Sequence, residues 1–235
     1  MGYSDRTEQR GDRLIVSSDA ARRRLSETPL EQASVGRVYE KLSSVYDFVF
    51  GPTLHLGRVQ AIRRMRIKSG ERLLEVGVGT GINIPLYPRD CHVTGIDFSA
   101  PMLQKARERV ARKGLRNVSL YEMDAADLRF KDESFDTVFA PYLMTVVPDP
   151  IRVANEMRRV CKTGGRIVVL NHFRSDNPVM ARLERMISPL TVRIGGFNSD
   201  FDLHSFLARA CFNSVHIEKV NIPRVVSLVT YVKEA

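Results

Sequence analysis

The chain has 235 residues, 43% of them hydrophobic, which suits one large α/β domain with an added arm better than two full domains. It contains no run of eighteen apolar residues and no apolar N-terminal stretch, so neither a transmembrane helix nor a secretory signal is expected. The formal net charge of +9 suits nucleic acid, an anionic membrane or an acidic small molecule as partner, so the distribution of charge must decide.

The N-terminal region carries much of the positive charge, with 13 basic and 8 acidic residues over 1–68. Residues 1–30 are polar, include Arg22-Arg23-Arg24 and show no apolar period, which predicts a mobile basic arm. Residues 31–69 predict two helices. The first, over about 33–50, is amphipathic because apolar residues recur at helical spacing from Val35 to Val49. The second runs from about Thr53 to Lys68, after a break at Gly51-Pro52, and is rich in arginine.

From residue 70 to 235, strands and helices alternate, which predicts a doubly wound α/β domain with a parallel sheet. Strands are predicted at Arg72–Val76, Val93–Ile96, Val118–Glu122, Phe135–Ala140, Arg166–Leu170, Val215–Val220 and Ser227–Val232. Helices are predicted at about Ser99–Lys113, Asp149–Cys161 and Asp202–Ala210, and Met180–Ile187 is also expected to be helical. Residues 180–202 lie between the fifth and sixth strands, a position that suits a substrate lid.

A glycine loop, Gly77-Val-Gly79-Thr-Gly81, follows the first strand of this domain. Glycines there let a ligand approach the backbone at the edge where open α/β sheets bind ligands. The spacing differs from the G-x-G-x-x-G of nicotinamide-binding loops. Glu75 precedes the loop, and its negative charge would repel a pyrophosphate but suit a ligand with a positive ammonium.

Two further carboxylates follow the next two strands. Asp97 ends the second strand, where it can accept hydrogen bonds from both hydroxyls of a ribose. Asp124 follows the third strand, where it can accept from the exocyclic amine of adenine. An ammonium, a ribose diol and an adenine together describe S-adenosylmethionine.

These motifs, with Ala125 and Phe135–Val138, stand in the order and spacing of class I S-adenosylmethionine-dependent methyltransferases, which the chain resembles over about residues 70–171. The resemblance implies a Rossmann-like seven-stranded sheet whose last strand is antiparallel, with an N-terminal helical extension. It implies these cofactor-binding residues: Tyr46, Glu75, Gly77, Gly79, Gly81, Asp97, Phe98, Asp124 and Ala125. No metal is expected, because the His, Cys and carboxylate residues show no metal-ligand spacing and the three cysteines are scattered.

Narrower segments resemble the small bacterial phospholipid N-methyltransferases, which convert phosphatidylethanolamine stepwise to phosphatidylcholine. The segments are 45–52, 141–150, 169–175 and 196–201. Related quinone-biosynthesis methyltransferases share the Tyr-Asp before the core and the Val-Pro-Asp after the fourth strand. C- or O-methylation of a quinone precursor or other small molecule therefore stays open, as does a non-catalytic, membrane-associated protein that binds S-adenosylmethionine.

A peripheral enzyme on the cytoplasmic face of a membrane needs an amphipathic helix with basic flanks. The 33–50 helix, between Arg22–Arg24 and the basic tract Arg58–Lys68, meets this need, although it can equally cap the cofactor site. Nucleic acid is not expected as a partner. Ala140-Pro-Tyr-Leu143 stands where amino-directed nucleic-acid methyltransferases carry an Asn/Asp-Pro-Pro-Tyr loop.

N-methylation requires a neutral amine, and four side chains are predicted to serve it. Tyr46 and Tyr142 can hydrogen-bond the amine and then face the methylated cation through their rings. His172 follows a buried strand at the ligand edge and can take the proton, although a histidine satisfied by the turn is the structural alternative. Arg174 can pair with the lipid phosphate, although a surface arginine is nearly as plausible.

Overall fold

The computed structural model describes residues 13–15, 51–174, 182, 186, 201–220 and 226–234. The amphipathic helix over 33–50, Tyr46, most of the basic arm and nearly all of the predicted lid therefore lie outside the described residues. For residues 13–15 and 51–54 only the backbone is described.

A single mixed sheet forms the centre of the domain. Its strands are β1 (Arg13–Ile15), β2 (Arg72–Val76), β3 (His92–Asp97), β4 (Val118–Glu122), β5 (Phe135–Pro141), β6 (Cys161–His172), β7 (Ser214–Val220) and β8 (Val226–Val232), in the spatial order β1-β7-β8-β6-β5-β2-β3-β4. Strands β2 to β6 pair in parallel, while β8 runs antiparallel to both β6 and β7. The predicted seven-stranded sheet with an antiparallel last strand is confirmed, and β1, from within the predicted arm, pairs with β7 as an eighth strand.

In the described part of the chain, four α-helices flank this sheet: α1 (Gly51–Met65), α2 (Ala100–Arg112), α3 (Pro150–Val160) and α4 (Leu203–Arg209). Gly51 and Pro52, predicted as a break, form the first turn of α1, where a proline needs no amide donor. Strand β6 begins five residues earlier than predicted. Its irregular pairing with β5 accommodates Gly164 and Gly165, which bond to the backbone of Lys233 at 2.8 and 2.9 Å.

Both faces of the sheet are buried, as adjacent residues of β2 illustrate. Leu74 belongs to the cluster under α3 and α4, whereas Leu73 packs with Ala61 and Ile62 of α1 on the opposite face. Each fully buried leucine contributes roughly 1.5–3 kcal/mol through the hydrophobic effect. This packing holds α1 against the sheet, while the parallel pairing of β2, β3, β4 and β5 places their carboxyl ends at one edge.

Candidate active site

The glycine loop adopts the left-handed backbone that its composition predicts. Gly77, Gly79 and Gly81 have φ values of 75°, 54° and 74°. The amides of Gly77 and Val78 both donate to the carbonyl of Ile96, at 2.9 and 2.8 Å, which fastens the loop to the end of β3. The loop therefore presents a fixed backbone surface to a ligand.

Asp97 organises the loop as well as ending β3. Its Oδ2 accepts from the amide of Gly79 at 2.8 Å, and its Oδ1 accepts from the amide of Ser99 at 3.0 Å. Burial raises the pKa of Asp97, and these amides oppose the rise by bonding the ionised form. Each carboxylate oxygen retains a further lone pair, so Asp97 can also accept from the two hydroxyls of a ribose.

Glu75 lies beneath the loop and is completely buried. Its carboxylate accepts from the side-chain amide of Asn83 and the hydroxyl of Tyr87, both at 2.6 Å. Burial raises its pKa to about 7, although these two bonds and the charge of Arg58 act in the opposite direction. Glu75 is not part of the cavity wall described below, so its contact with a ligand ammonium stays a prediction.

Arg58 of α1 completes this buried polar group, a role that its position in the predicted basic tract concealed. Its side chain is 8% exposed, its Nη1 donates to Asn83 Oδ1 at 3.3 Å, and its guanidinium lies 4.8 Å from the ring centre of Tyr142. The helical spacing of the buried residues of α1 could have identified Arg58 as buried. Position 58 shares its stripe with the buried residues Ala61, Ile62 and Met65.

A cavity of about 260 Å³ opens between these groups at the carboxyl edge of the sheet. Its wall is formed by Arg58, Gly77–Thr80, Ile82, Ile96–Ser99, Met102, Met123–Ala125, Pro141–Leu143 and Val146–Pro148. The structure thus brings together seven of the predicted site residues: Gly77, Gly79, Asp97, Phe98, Asp124, Ala125 and Tyr142. Gly81 and Glu75 support this wall from behind.

Tyr142 follows β5 in an unusual backbone conformation, with a φ of 57°. A left-handed backbone costs a non-glycine residue of the order of 1–2 kcal/mol, and such residues cluster at functional sites. The amide of Tyr142 donates to the carbonyl of Leu170 at 2.6 Å, and the guanidinium of Arg58 covers one face of its ring. The ring is therefore held at the cavity wall from two directions.

His172 and Arg174 do not belong to the described part of the cavity wall. His172 is the half-buried last residue of β6. Arg174 forms an ion pair with Asp202, whose carboxylate caps α4 by accepting from the amide of Ser205 at 2.7 Å. Their roles toward a substrate stay predictions, and Arg174 already has a partner that serves the fold.

The cavity fits S-adenosylmethionine. Asp97 has lone pairs that can accept hydrogen bonds from the hydroxyls of a ribose. Beside Asp124, the side chains of Ile82, Met102 and Met123 form an apolar wall that suits an adenine. Within the described part of the chain, two buried polar atoms of the wall, Arg58 Nε and Ser99 Oγ, have no hydrogen-bond partner, which indicates that a polar ligand completes the site. Ser99 was predicted to cap α2, and it occupies that position without a side-chain capping bond.

Known proteins with sequences similar to this chain are methyltransferases. Residues 74–169 match the family model of a methyltransferase domain. A phosphatidylethanolamine N-methyltransferase of Cereibacter sphaeroides is 43% identical over 180 residues, covering 76% of this chain and 87% of the relative. A demethylmenaquinone methyltransferase of Listeria monocytogenes is 35% identical over 159 residues, covering 64% of this chain and 67% of the relative.

Solved structures share the fold at low identity. A SAM-dependent methyltransferase from Thermotoga maritima superposes with a TM-score of 0.65 at 21% identity, covering 85% of this chain and 100% of that one. Phosphoethanolamine N-methyltransferase 2 of Haemonchus contortus, solved with S-adenosyl-L-methionine, gives a TM-score of 0.67 at 16% identity, covering 88% of this chain and 62% of that one.

Proposed function

Because this chain belongs to the S-adenosylmethionine-dependent methyltransferases, we propose that it methylates the amine of phosphatidylethanolamine, and then the mono- and dimethyl products, toward phosphatidylcholine. The observation that most supports this proposal is the 43% identity to a phosphatidylethanolamine N-methyltransferase over 87% of that relative. The demethylmenaquinone methyltransferase is less similar, at 35% identity over 67% of its length. Transfer to a quinone precursor is therefore the second candidate.

The cavity wall after β5 supports a lipid acceptor. Leu143, Val146, Val147 and Pro148 are half-buried and form an apolar wall that continues from Tyr142. A headgroup amine at Tyr142 would have its attached chains beside these residues. An apolar wall next to a cation-binding ring is suited to a lipid with an amine headgroup.

The chemistry assigns distinct tasks to the residues of this chain. Bound S-adenosylmethionine supplies an electrophilic methyl group on a sulfonium. The glycine loop and Asp97 fix the position of that group, and good alignment in intramolecular reactions is worth about 7–11 kcal/mol. The acceptor ammonium, with a pKa near 10, must lose its proton first. Tyr142, with Tyr46 from outside the described residues, orients the amine, and His172 is the proposed proton acceptor, directly or through water.

We place the enzyme at the cytoplasmic face of the membrane as a peripheral protein. Exposed basic residues follow Arg58 along α1 and its end, namely Arg63, Arg64, Arg66 and Lys68, and Arg64 pairs with Glu218. Leu56 on α1 and Phe98 at the cavity are each about half-exposed, at 51% and 50%, which provides apolar contacts for a bilayer. Within the described ranges, no helix has the length and apolarity to cross a membrane.

Transfer of labelled methyl from S-adenosylmethionine to defined acceptors tests the proposal. We expect label in mono-, di- and trimethylated headgroups when vesicles contain phosphatidylethanolamine and an anionic lipid. Vesicles of the anionic lipid alone and soluble phosphoethanolamine are the controls, and neither should accept label at a comparable rate. Equal rates with soluble phosphoethanolamine would refute the lipid acceptor. Cofactor binding without turnover on any acceptor would indicate the non-catalytic alternative.

A further inference from the structure

Arg58 is a buried, positively charged side chain that uses only some of its hydrogen-bond donors within the described residues. It is 8% exposed and lines the cavity, and its Nε has no hydrogen-bond partner among the described residues. Buried arginines are normally paired with an anion, because an unsatisfied donor or charge away from water is costly. The side chain therefore indicates a ligand with a negative charge.

The described side chains that contact Arg58 directly are uncharged. Asn83 accepts from its Nη1 through a neutral amide oxygen, and Tyr142 offers the face of its ring. The nearby carboxylate of Glu75 instead bonds Asn83 and Tyr87, and it acts on Arg58 only through space. These contacts orient the guanidinium in the wall but leave its Nε for a ligand.

The order of the strands identifies which part of the cofactor reaches Arg58. Asp124 follows β4, Asp97 ends β3, the glycine loop follows β2, and Tyr142 follows β5, so they line the edge in that spatial order. With the adenine at Asp124 and the ribose at Asp97, the amino-acid tail of S-adenosylmethionine points toward β2 and β5. Arg58 stands at this end, on the ring of Tyr142.

We propose that Arg58 binds the α-carboxylate of the amino-acid tail of S-adenosylmethionine. A planar guanidinium matches a carboxylate through parallel N–H donors, which distinguishes it from a lysine at the same place. The phosphodiester of a lipid has the same oxyanion chemistry. The burial of Arg58 and its bond to Asn83, directly behind the glycine loop, favour the cofactor, because a lipid phosphate carries chains that must extend out of the site.

The test compares two cofactors by calorimetry: S-adenosylmethionine and its decarboxylated form, which lacks only the carboxylate. A charge-assisted hydrogen bond in a buried site corresponds to about 10-fold to 100-fold in affinity. We expect wild type to prefer S-adenosylmethionine by about this factor, and Arg58→Met to lose the preference by binding S-adenosylmethionine more weakly while its affinity for the decarboxylated form changes less than about threefold. Arg107→Met, at an exposed position of α2, is the matched control and should keep the wild-type preference.

The two ligands also report on folding, since unchanged binding of the decarboxylated form shows an intact adenosine site. If Arg58→Met does not fold, Arg58→Lys carries the comparison and should show a reduced preference. Equal weakening of both ligands, or a full preference retained without Arg58, would overturn the proposal. So would unchanged cofactor affinity combined with weaker half-saturation by phosphatidylethanolamine vesicles, because that result assigns Arg58 to the lipid phosphate. The calorimetric comparison of the two cofactors does not depend on which acceptor the enzyme uses.

Discussion

At the residue scale, the site is built in two layers. The front layer, with Asp97, Gly77 and Gly79, lines the cavity, while Glu75, Asn83 and Tyr87 form a buried polar layer behind it. The hydroxyl of Tyr87 and the side-chain amide of Asn83 both donate to the carboxylate of Glu75, so these three side chains restrain one another. Arg58 joins the two layers through Asn83.

The buried carboxylate should make stability depend on pH. The pKa of Glu75 is raised from 4.5 to about 7 in the folded state, chiefly by burial. The folded protein therefore holds a proton that the unfolded chain has already released, and the free energy of unfolding falls as pH rises through this range. Between pH 5 and pH 7, urea denaturation should show that wild type loses more stability than Glu75→Gln, by on the order of 2 kcal/mol.

An exposed glutamate provides the control for that experiment. Glu122→Gln on β4 should show the same pH dependence as wild type. Identical pH slopes for wild type and Glu75→Gln would contradict a protonated Glu75 in the folded protein.

Residue type and strand position explain why part of this site was predictable. Asp97 ends β3 and Asp124 lies two residues after β4, so the sequence order already predicts their common edge. Arg58 and Tyr87 could not be placed in the same way. They come from a helix and a loop whose approach to Glu75 depends on how α1 packs against Leu73 and Phe139 on the sheet.

At the element scale, the glycine loop is restricted by what it packs against. A Cβ at Gly81 would lie 2.9 Å from Ile84 Cδ1 and 3.1 Å from the Cβ of Ala106 in α2. Position 81 therefore requires glycine for two reasons: the backbone is left-handed, and there is no room for a side chain. This contact joins the loop to α2, whose first residues line the cavity beyond Asp97.

Two alanine variants separate backbone strain from crowding. Gly114→Ala, with a φ of 60° and no atom within 4 Å of the added Cβ, should lose about 1–2 kcal/mol from left-handed strain alone. Gly81→Ala should lose about 1–3 kcal/mol more, because the added methyl overpacks against Ile84 and Ala106. Denaturant unfolding of both variants measures the difference, and equal losses would contradict the crowding at Gly81.

Most elements were predictable because their sequence signals are local. Strands β2 and β4 have the predicted ends, because each is a short run of strand-forming residues between turn residues. Strand β6 was predicted too short because Gly164 and Gly165 are typical of a turn. Here they pair with Lys233 at the end of β8, a partner about seventy residues away that no local pattern reveals.

At the scale of the whole molecule, charge and apolar exposure are unevenly distributed. The basic residues at the end of α1 and the arginines of the arm belong to the same third of the chain. Phe98 adds an exposed ring at the cavity. The proposed membrane-facing side, which includes Phe98, rests on this distribution.

Charge reversal in the arm tests that membrane-facing side. Arg22, Arg23 and Arg24 changed together to Glu should lower binding to anionic vesicles by about tenfold or more, since each basic residue near the surface is worth roughly 1 kcal/mol. Cosedimentation at low and high salt measures it, because screening weakens the remaining attraction. The control reverses Arg107, Arg112 and Lys113 at exposed positions of and just after α2, with the same change in net charge. Equal losses in both variants would show that net charge alone matters.

Competition between the two candidate acceptors tests the central claim most directly. Wild-type protein would receive labelled S-adenosylmethionine and vesicles that contain an anionic lipid, phosphatidylethanolamine and demethylmenaquinone together, and the lipids would then be separated. We predict label in the methylated headgroups of phosphatidylethanolamine and little in the quinone. Label confined to the quinone, with phosphatidylethanolamine unmodified, would contradict the proposed phospholipid N-methyltransferase.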